Sequence, residues 1–130
     1  MSEADVLAIE GECSRLVAAY AYLTDRRRYD EQAALFAEDG VYVNPFTRAE
    51  GRDKIRQYLD TKPADQKMRH TFSPPFFESV GASEASSITY ITLLIGKDSE
   101  PCKFAGFVEF HNTFARTAEG WKISYHESIA

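Results

Sequence analysis

The spacing of the apolar residues changes once along this chain, and that change limits the folds open to it. From Ala4 to about Arg26 the side chains of Ile9, Cys13, Leu16, Val17, Tyr20 and Thr24 recur at helical spacing, which predicts one long amphipathic helix. Ser2, with Asp5 three residues on, supplies a cap and an acid for its first turn. Arg26, Arg27 and Arg28 stand where the helix should end, and a solvated cationic cluster is expected there. A short helix is expected over Asp30–Ala37, broken by Asp39-Gly40, then a strand from Val41 to the Pro45-Phe46 pair. Gly51–Thr61 carries Ile55, Tyr58 and Leu59 at the spacing of a third helix. From Lys67 onward the pattern alternates residue by residue. Lys67–Val80, Ser83–Gly96, Pro101–Arg116 and Trp121–Ile129 predict four long strands. Pro74-Pro75 marks a bulge or an edge, because proline donates no ladder hydrogen bond. Helices first and strands afterwards is an α+β order. The expected architecture is a strongly curved antiparallel sheet, a cone with three N-terminal helices, with a pocket where the sheet curls around the long helix.

With 130 residues the chain is one domain, residues 1–130, and 44% hydrophobic residues suffice for its core. A formal charge of −5 argues against a nucleic-acid surface and against an anionic membrane as partner. No apolar run approaches the roughly 20 residues of a membrane span. The opening MSEADVLAIEGE lacks the apolar stretch of a signal peptide, so the expected location is the cytoplasm. Cys13 and Cys102 form no metal-ligand spacing and are expected as reduced, buried thiols. Neither a metal nor an organic cofactor is expected.

Strand parity selects the first candidate for chemistry. In Met68-Arg69-His70-Thr71-Phe72, His70 shares a face with Met68 and Phe72 and so points into an apolar interior. A satisfied core histidine and a proton-transfer group both fit that position. On the next strands Phe104, Gly106, Val108, Phe110, Asn112 and Phe114 share one face. Asn112 is therefore a buried amide that either binds a substrate oxygen or ties down backbone. His111 and His126 fall with polar neighbours and read as surface or interface histidines. Tyr20 lies in the helical stripe and Asp25 on its shoulder; periodicity alone does not assign either a role.

A resemblance adds to this. Tyr20, Asp25, Tyr29-Asp30, Leu35-Phe36-Ala37-Glu38-Asp39-Gly40, Gly51-Arg52, Ile55 and Arg69-His70 together resemble the SnoaL-like branch of the nuclear transport factor 2-like superfamily, over nearly the whole chain. That resemblance implies a cone of cystatin-like fold. It also implies kinship with scytalone dehydratase, bile-acid 7α-dehydratase and hexachlorocyclohexane dehydrochlorinase, and with polyketide cyclases, ketosteroid isomerase and the small subunits of ring-hydroxylating dioxygenases. In the dehydratase-like members an Asp at the end of the first helix pairs with a strand His, and Asp25 and His70 match those positions. Tyr20 matches a contributing tyrosine of the bile-acid enzyme. The isomerase base position falls on Asn44, an amide, which argues against steroid-type isomerisation.

The expected catalytic residues are thus His70 as base, Asp25 as its orienter and Tyr20, with Asn112, Asn44, Phe72, Phe110 and Tyr42 binding substrate. A neutral imidazole can take a proton from carbon, and a carboxylate on its other nitrogen fixes the tautomer and stabilises the imidazolium. The expected function is a dehydratase-like lyase, or a cyclase or isomerase, acting on a small hydrophobic cyclic oxygenated molecule. The alternative is a non-catalytic binding or assembly module like the dioxygenase small subunit. Phe107, Glu109 and His111 on the opposite strand face predict packing between subunits in a homodimer or homotrimer.

Overall fold

The computed structural model describes residues 1–130. Its elements are α1 (Glu3–Asp25), α2 (Tyr29–Ala33), β1 (Phe36–Asn44), β2 (Thr47–Glu50), α3 (Arg52–Leu59), β3 (Gln66–Phe72), β4 (Phe76–Val80), β5 (Glu84–Lys97), β6 (Lys103–Thr117) and β7 (Gly120–Ile129). The α+β order with three N-terminal helices is as predicted. α1 opens on a capping box: Ser2 Oγ accepts from the Asp5 N–H at 3.1 Å, and the Asp5 carboxylate accepts from the Ser2 N–H at 3.0 Å. Its buried face is Ile9, Cys13, Val17, Tyr20, Ala21, Leu23 and Thr24, the predicted stripe with Leu16 left half-buried.

Seven strands make one open, curved sheet in the order β2-β1-β7-β6-β5-β3, with β4 also pairing with β5. β1 and β7 run parallel, which corrects the wholly antiparallel expectation at one seam. These two strands are not joined by a hairpin; most of the chain lies between them, so a parallel pairing is open to them. β1 also starts earlier than predicted. Ile123 N–H donates to Leu35 O at 2.9 Å, and Phe36 is fully buried, so sheet pairing takes residues that their helical spacing assigned to α2. Asp39-Gly40 lies inside β1 at a shift of register against β7 rather than ending a helix. Gly40 is needed there, because a Cβ would come within 3.0 Å of Ala37 O and 3.1 Å of Ile123 O. The sequence pattern also missed the short β2, which pairs with β1 through Asn44 and Thr47.

The predicted Lys67–Val80 strand is two strands, β3 and β4, both on the same edge of β5 and interrupted at Ser73–Pro75. In β6 the register against β5 slips between Leu93 and Leu94, opposite Gly106, whose φ of 154° is one that L side chains rarely adopt. The slip reverses parity beyond it. Phe104 consequently turns outward, exposed beside Phe107 with ring centroids 5.0 Å apart, instead of joining the inner face.

Between sheet and helices the core is closed by Phe36, Ile55, Leu59, Ile91, Phe114 and Ile123. Cys13 is buried and Cys102 half-buried, both as free thiols. No helix is long and apolar enough to cross a membrane. The arginine run is more engaged than a solvated cluster. Arg26 lies over the Tyr22 ring at 5.1 Å, and Arg28 holds Glu31 through two bonds of 2.7 Å. Arg27, at a left-handed φ of 57°, binds the carbonyls of Ala64 and Gln66 and the Asp98 carboxylate. It thereby ties the end of α1 to the approach to β3 and to the turn after β5.

Candidate active site

A cavity of about 460 Å³ opens between the C-terminal half of α1 and the concave face of the sheet, within the size range of small-molecule sites. Tyr20 and Thr24 of α1, Tyr42 and Asn44 of β1 and Tyr58 of α3 line one side. His70 of β3, Leu93 of β5 and Phe110 of β6 line the other, with Lys62 on the segment between them.

The Asp25–His70 pair is formed. Asp25 is the last residue of α1, and β3 is an edge strand whose ladder runs only to β5, so alternate N–H groups of β3 need other acceptors. The Asp25 carboxylate meets that need and more. One oxygen accepts from the His70 backbone N–H at 2.9 Å, and the other lies 2.6 Å from His70 Nδ1. Both side chains are nearly closed to solvent, 6% exposed for His70 and 9% for Asp25. A carboxylate only accepts, so Nδ1 carries the proton of the neutral ring and Nε2 keeps its lone pair. The result is an imidazole of fixed tautomer at the wall of the cavity.

Tyr20 belongs to both the core and the cavity. It is 4% exposed, packs edge-on against Phe110 at 5.3 Å and stacks on His126 at 4.5 Å. Burial, first, and neighbouring Tyr42 hold its hydroxyl well above the usual phenol range, so it is a donor throughout the physiological range. Burial likewise raises Tyr42. Asn44 lines the cavity, yet the protein uses all of its amide. Its Oδ1 accepts from the N–H groups of Phe46 and Thr47 at 2.8 and 3.0 Å, and its Nδ2 donates to Tyr58 Oη at 2.8 Å and Tyr42 Oη at 3.3 Å. It shapes the turn into β2 and presents two phenols.

Two expected binding residues lie elsewhere. Asn112 is buried but does not line the cavity; its Oδ1 accepts from His126 Nδ1 at 2.7 Å. Phe72 has the inward parity of His70 but ends an edge strand, where it is 39% exposed and lines a separate hollow of about 560 Å³ with Tyr90 and Phe107. That hollow is larger than the inner cavity but holds no buried proton-transfer pair. His111 is half-exposed and hydrogen-bonded to Glu109 at 2.8 Å, as its parity predicted.

His126 is the main correction among the histidines: it is fully buried rather than at the surface. Opposite Thr113 and Phe114 the register of β7 slips past Ser124, so the parity that put His126 with Lys122 and Ser124 fails after that point. The ring lies between Tyr20 and Tyr42, with centroids at 4.5 and 5.3 Å. Burial above all, with the nearby charges of His70 and Lys62, pushes its pKa down to about 3. It is a neutral, structural imidazole.

Sequence reasoning also passed over Lys62 and Tyr58 as site residues. A lysine in a connecting segment carries no periodic signal, and Tyr58 reads as one more apolar position of α3. No group of three or more His, Cys, Asp and Glu side chains is placed to hold a metal ion.

Comparison with known proteins agrees with this architecture. No curated protein matches the chain. A cystatin-fold, NTF2-like protein of Novosphingobium aromaticivorans superposes with a TM-score of 0.82 at 25% identity, covering 94% of this chain and 81% of its own. A candidate scytalone dehydratase of the same organism gives 0.81 at 23%, covering 96% and 86%. A candidate aromatic ring hydroxylase, also from that organism, gives 0.84 at 19%, covering 95% and 89%. These likenesses establish the fold. The family model of the SnoaL-like domain matches residues 5–127, and the chain therefore belongs to the SnoaL-like domain family.

Proposed function

We propose that this domain is a cofactor-independent lyase of the dehydratase type, acting on a small, hydrophobic, cyclic molecule that carries a carbonyl and a β-hydroxyl. The observation that carries the reading is the double grip of Asp25 on His70 at the wall of an aromatic cavity. His70 Nε2 takes the proton from the carbon between the two oxygenated positions. The C–H electron pair moves into the ring and the carbonyl becomes an enolate, its oxygen met by the Tyr20 hydroxyl. When that pair returns, the C–O bond to the β-hydroxyl breaks, and the leaving hydroxide takes the proton from the His70 imidazolium to depart as water. Asp25 stabilises the imidazolium between the two transfers. A positioned base contributes about 10²–10⁴ in rate, and each preorganised oxyanion donor about 10²–10³.

Isomerisation or cyclisation uses the same first proton transfer and is the second reading. The buried pair favours catalysis over a purely binding or assembly role, which asks for no oriented base. 3-Hydroxy-1-tetralone fits the class and loses water to give fluorescent 1-naphthol. The wild-type protein is expected to release naphthol from it well above the buffer rate. A rate equal to that of buffer would remove the elimination reading.

We also infer that the outer sheet face packs against a second copy of the chain. Phe76, Tyr90, Phe104 and Phe107 are 60–73% exposed there, more aromatic surface than a solvated sheet face ordinarily carries. Sedimentation equilibrium is expected to show a dimer or trimer that Phe107→Asp converts to monomer; a monomeric wild type would refute this.

A further inference from the structure

The polar groups around the cavity divide by kind. With Nδ1 on Asp25, His70 offers an acceptor at Nε2. Across from it stand donors: the Tyr42 and Tyr58 hydroxyl oxygens already accept from Asn44 Nδ2, which leaves their protons to be given elsewhere. Thr24 is already spent on Tyr20 O at 2.7 Å. The remaining cation is Lys62, half-buried at the cavity wall. No ion pair and no side-chain hydrogen bond in the molecule involves its ammonium. Its segment is not free to swing away, because Arg27 holds the carbonyls of Ala64 and Gln66 just beyond it and Tyr58 O accepts from the Thr61 hydroxyl at 2.7 Å just before it. Burial lowers its pKa, and the charge of Asp25 opposes that. A partly desolvated ammonium beside neutral donors is an electrostatic cost that an incoming anion offsets.

We propose that Lys62 contacts the substrate and pairs with its anionic oxygen, so that the molecules this cavity takes are those whose ring-conjugated oxygen becomes an enolate or phenolate. The inference rests on reading His70 as the base, because proton removal from carbon creates the oxygen charge that Lys62 and Tyr58 meet together with Tyr20. It adds a residue to the site and narrows the substrate to carbon acids whose charge is delocalised onto a conjugated oxygen.

The test uses 4-nitrophenol, whose anion absorbs in the visible and which has neither a carbon-bound acidic proton nor a leaving group. Titrated with the wild-type protein, the bound phenol is expected to show an apparent pKa lowered by about one unit, a tenfold preference for the anion or about 1.4 kcal/mol. Lys62→Met should abolish that shift, and Lys62→Arg should retain most of it. An unshifted phenol on the wild type, or a shift that survives Lys62→Met, overturns the proposal. Failure to bind the phenol at all overturns it together with the cavity reading. Naphthol release from the tetralone is a separate readout, so failure of the Lys62 proposal is distinguishable from failure of the His70 reading.

Discussion

Exchanging His70 for Gln is expected to lower naphthol release by about 10²–10⁴, the usual contribution of a positioned base, with little change in fold. Gln has no titratable nitrogen but can still offer a donor to Asp25, so a collapse in rate reports the lost lone pair rather than a broken pocket. Asp25→Asn is the companion variant. Its side chain has similar shape but turns one acceptor into a donor, and both acceptors are in use, one on the His70 backbone N–H and one on Nδ1. One of those two bonds must be lost, and the imidazole is driven toward the tautomer with its proton on Nε2. In a catalytic triad the same exchange costs about 10⁴ through the wrong tautomer, and a loss of at least about 10² is expected here. Long-range ¹H–¹⁵N spectra should show the ring proton moved from Nδ1 to Nε2. Unimpaired turnover in either variant would be incompatible with the pair as base and orienter.

The second large effect is on stability in acid. His126 titrates near 6.5 when unfolded and at about 3 in the fold. Between those values the unfolded chain binds a proton that the folded chain refuses, so stability rises with pH across that window and falls as pH drops through it. The full stabilisation is present above pH 6.5. The loss by pH 3 is on the order of 4 kcal/mol, a large part of the stability of a domain this size. Urea midpoints measured from pH 7 to pH 4 should decline steeply for the wild type and less steeply for His126→Phe, which keeps the ring stack on Tyr20 and Tyr42 without a titratable group. Parallel declines would mean that His126 is not the acid-sensitive element.

Much of this was legible because two simple periods persist over long stretches. The helical stripe from Ile9 to Thr24 is the buried face of α1, and alternation alone turned His70 inward. Proline chemistry marked the edge at Pro74-Pro75. What parity could not see were slips of register. The bulge at Ser124 buries His126, and the one beside Gly106 turns Phe104 out. Asn112 had the right face but the wrong neighbour, because its partner His126 was hidden by that same slip. Asp25 was legible only through resemblance. A carboxylate on the shoulder of a helix is ordinarily solvated, and nothing local says that an edge strand 45 residues on will present an N–H and an imidazole to it. Lys62 was silent for a related reason: its setting comes from where α3 ends and β3 begins, not from its neighbours in sequence.

The central claim is that His70, and not His126, exchanges a proton with carbon inside the cavity. It is tested most directly by the rate at which the α-protons of 2-tetralone exchange with D₂O, followed by proton NMR in the presence of the wild-type, His70→Gln and His126→Gln proteins. The account predicts acceleration by the wild type, exchange at the buffer rate with His70→Gln, and substantial acceleration retained with His126→Gln. Equal acceleration by the wild type and His70→Gln would contradict it.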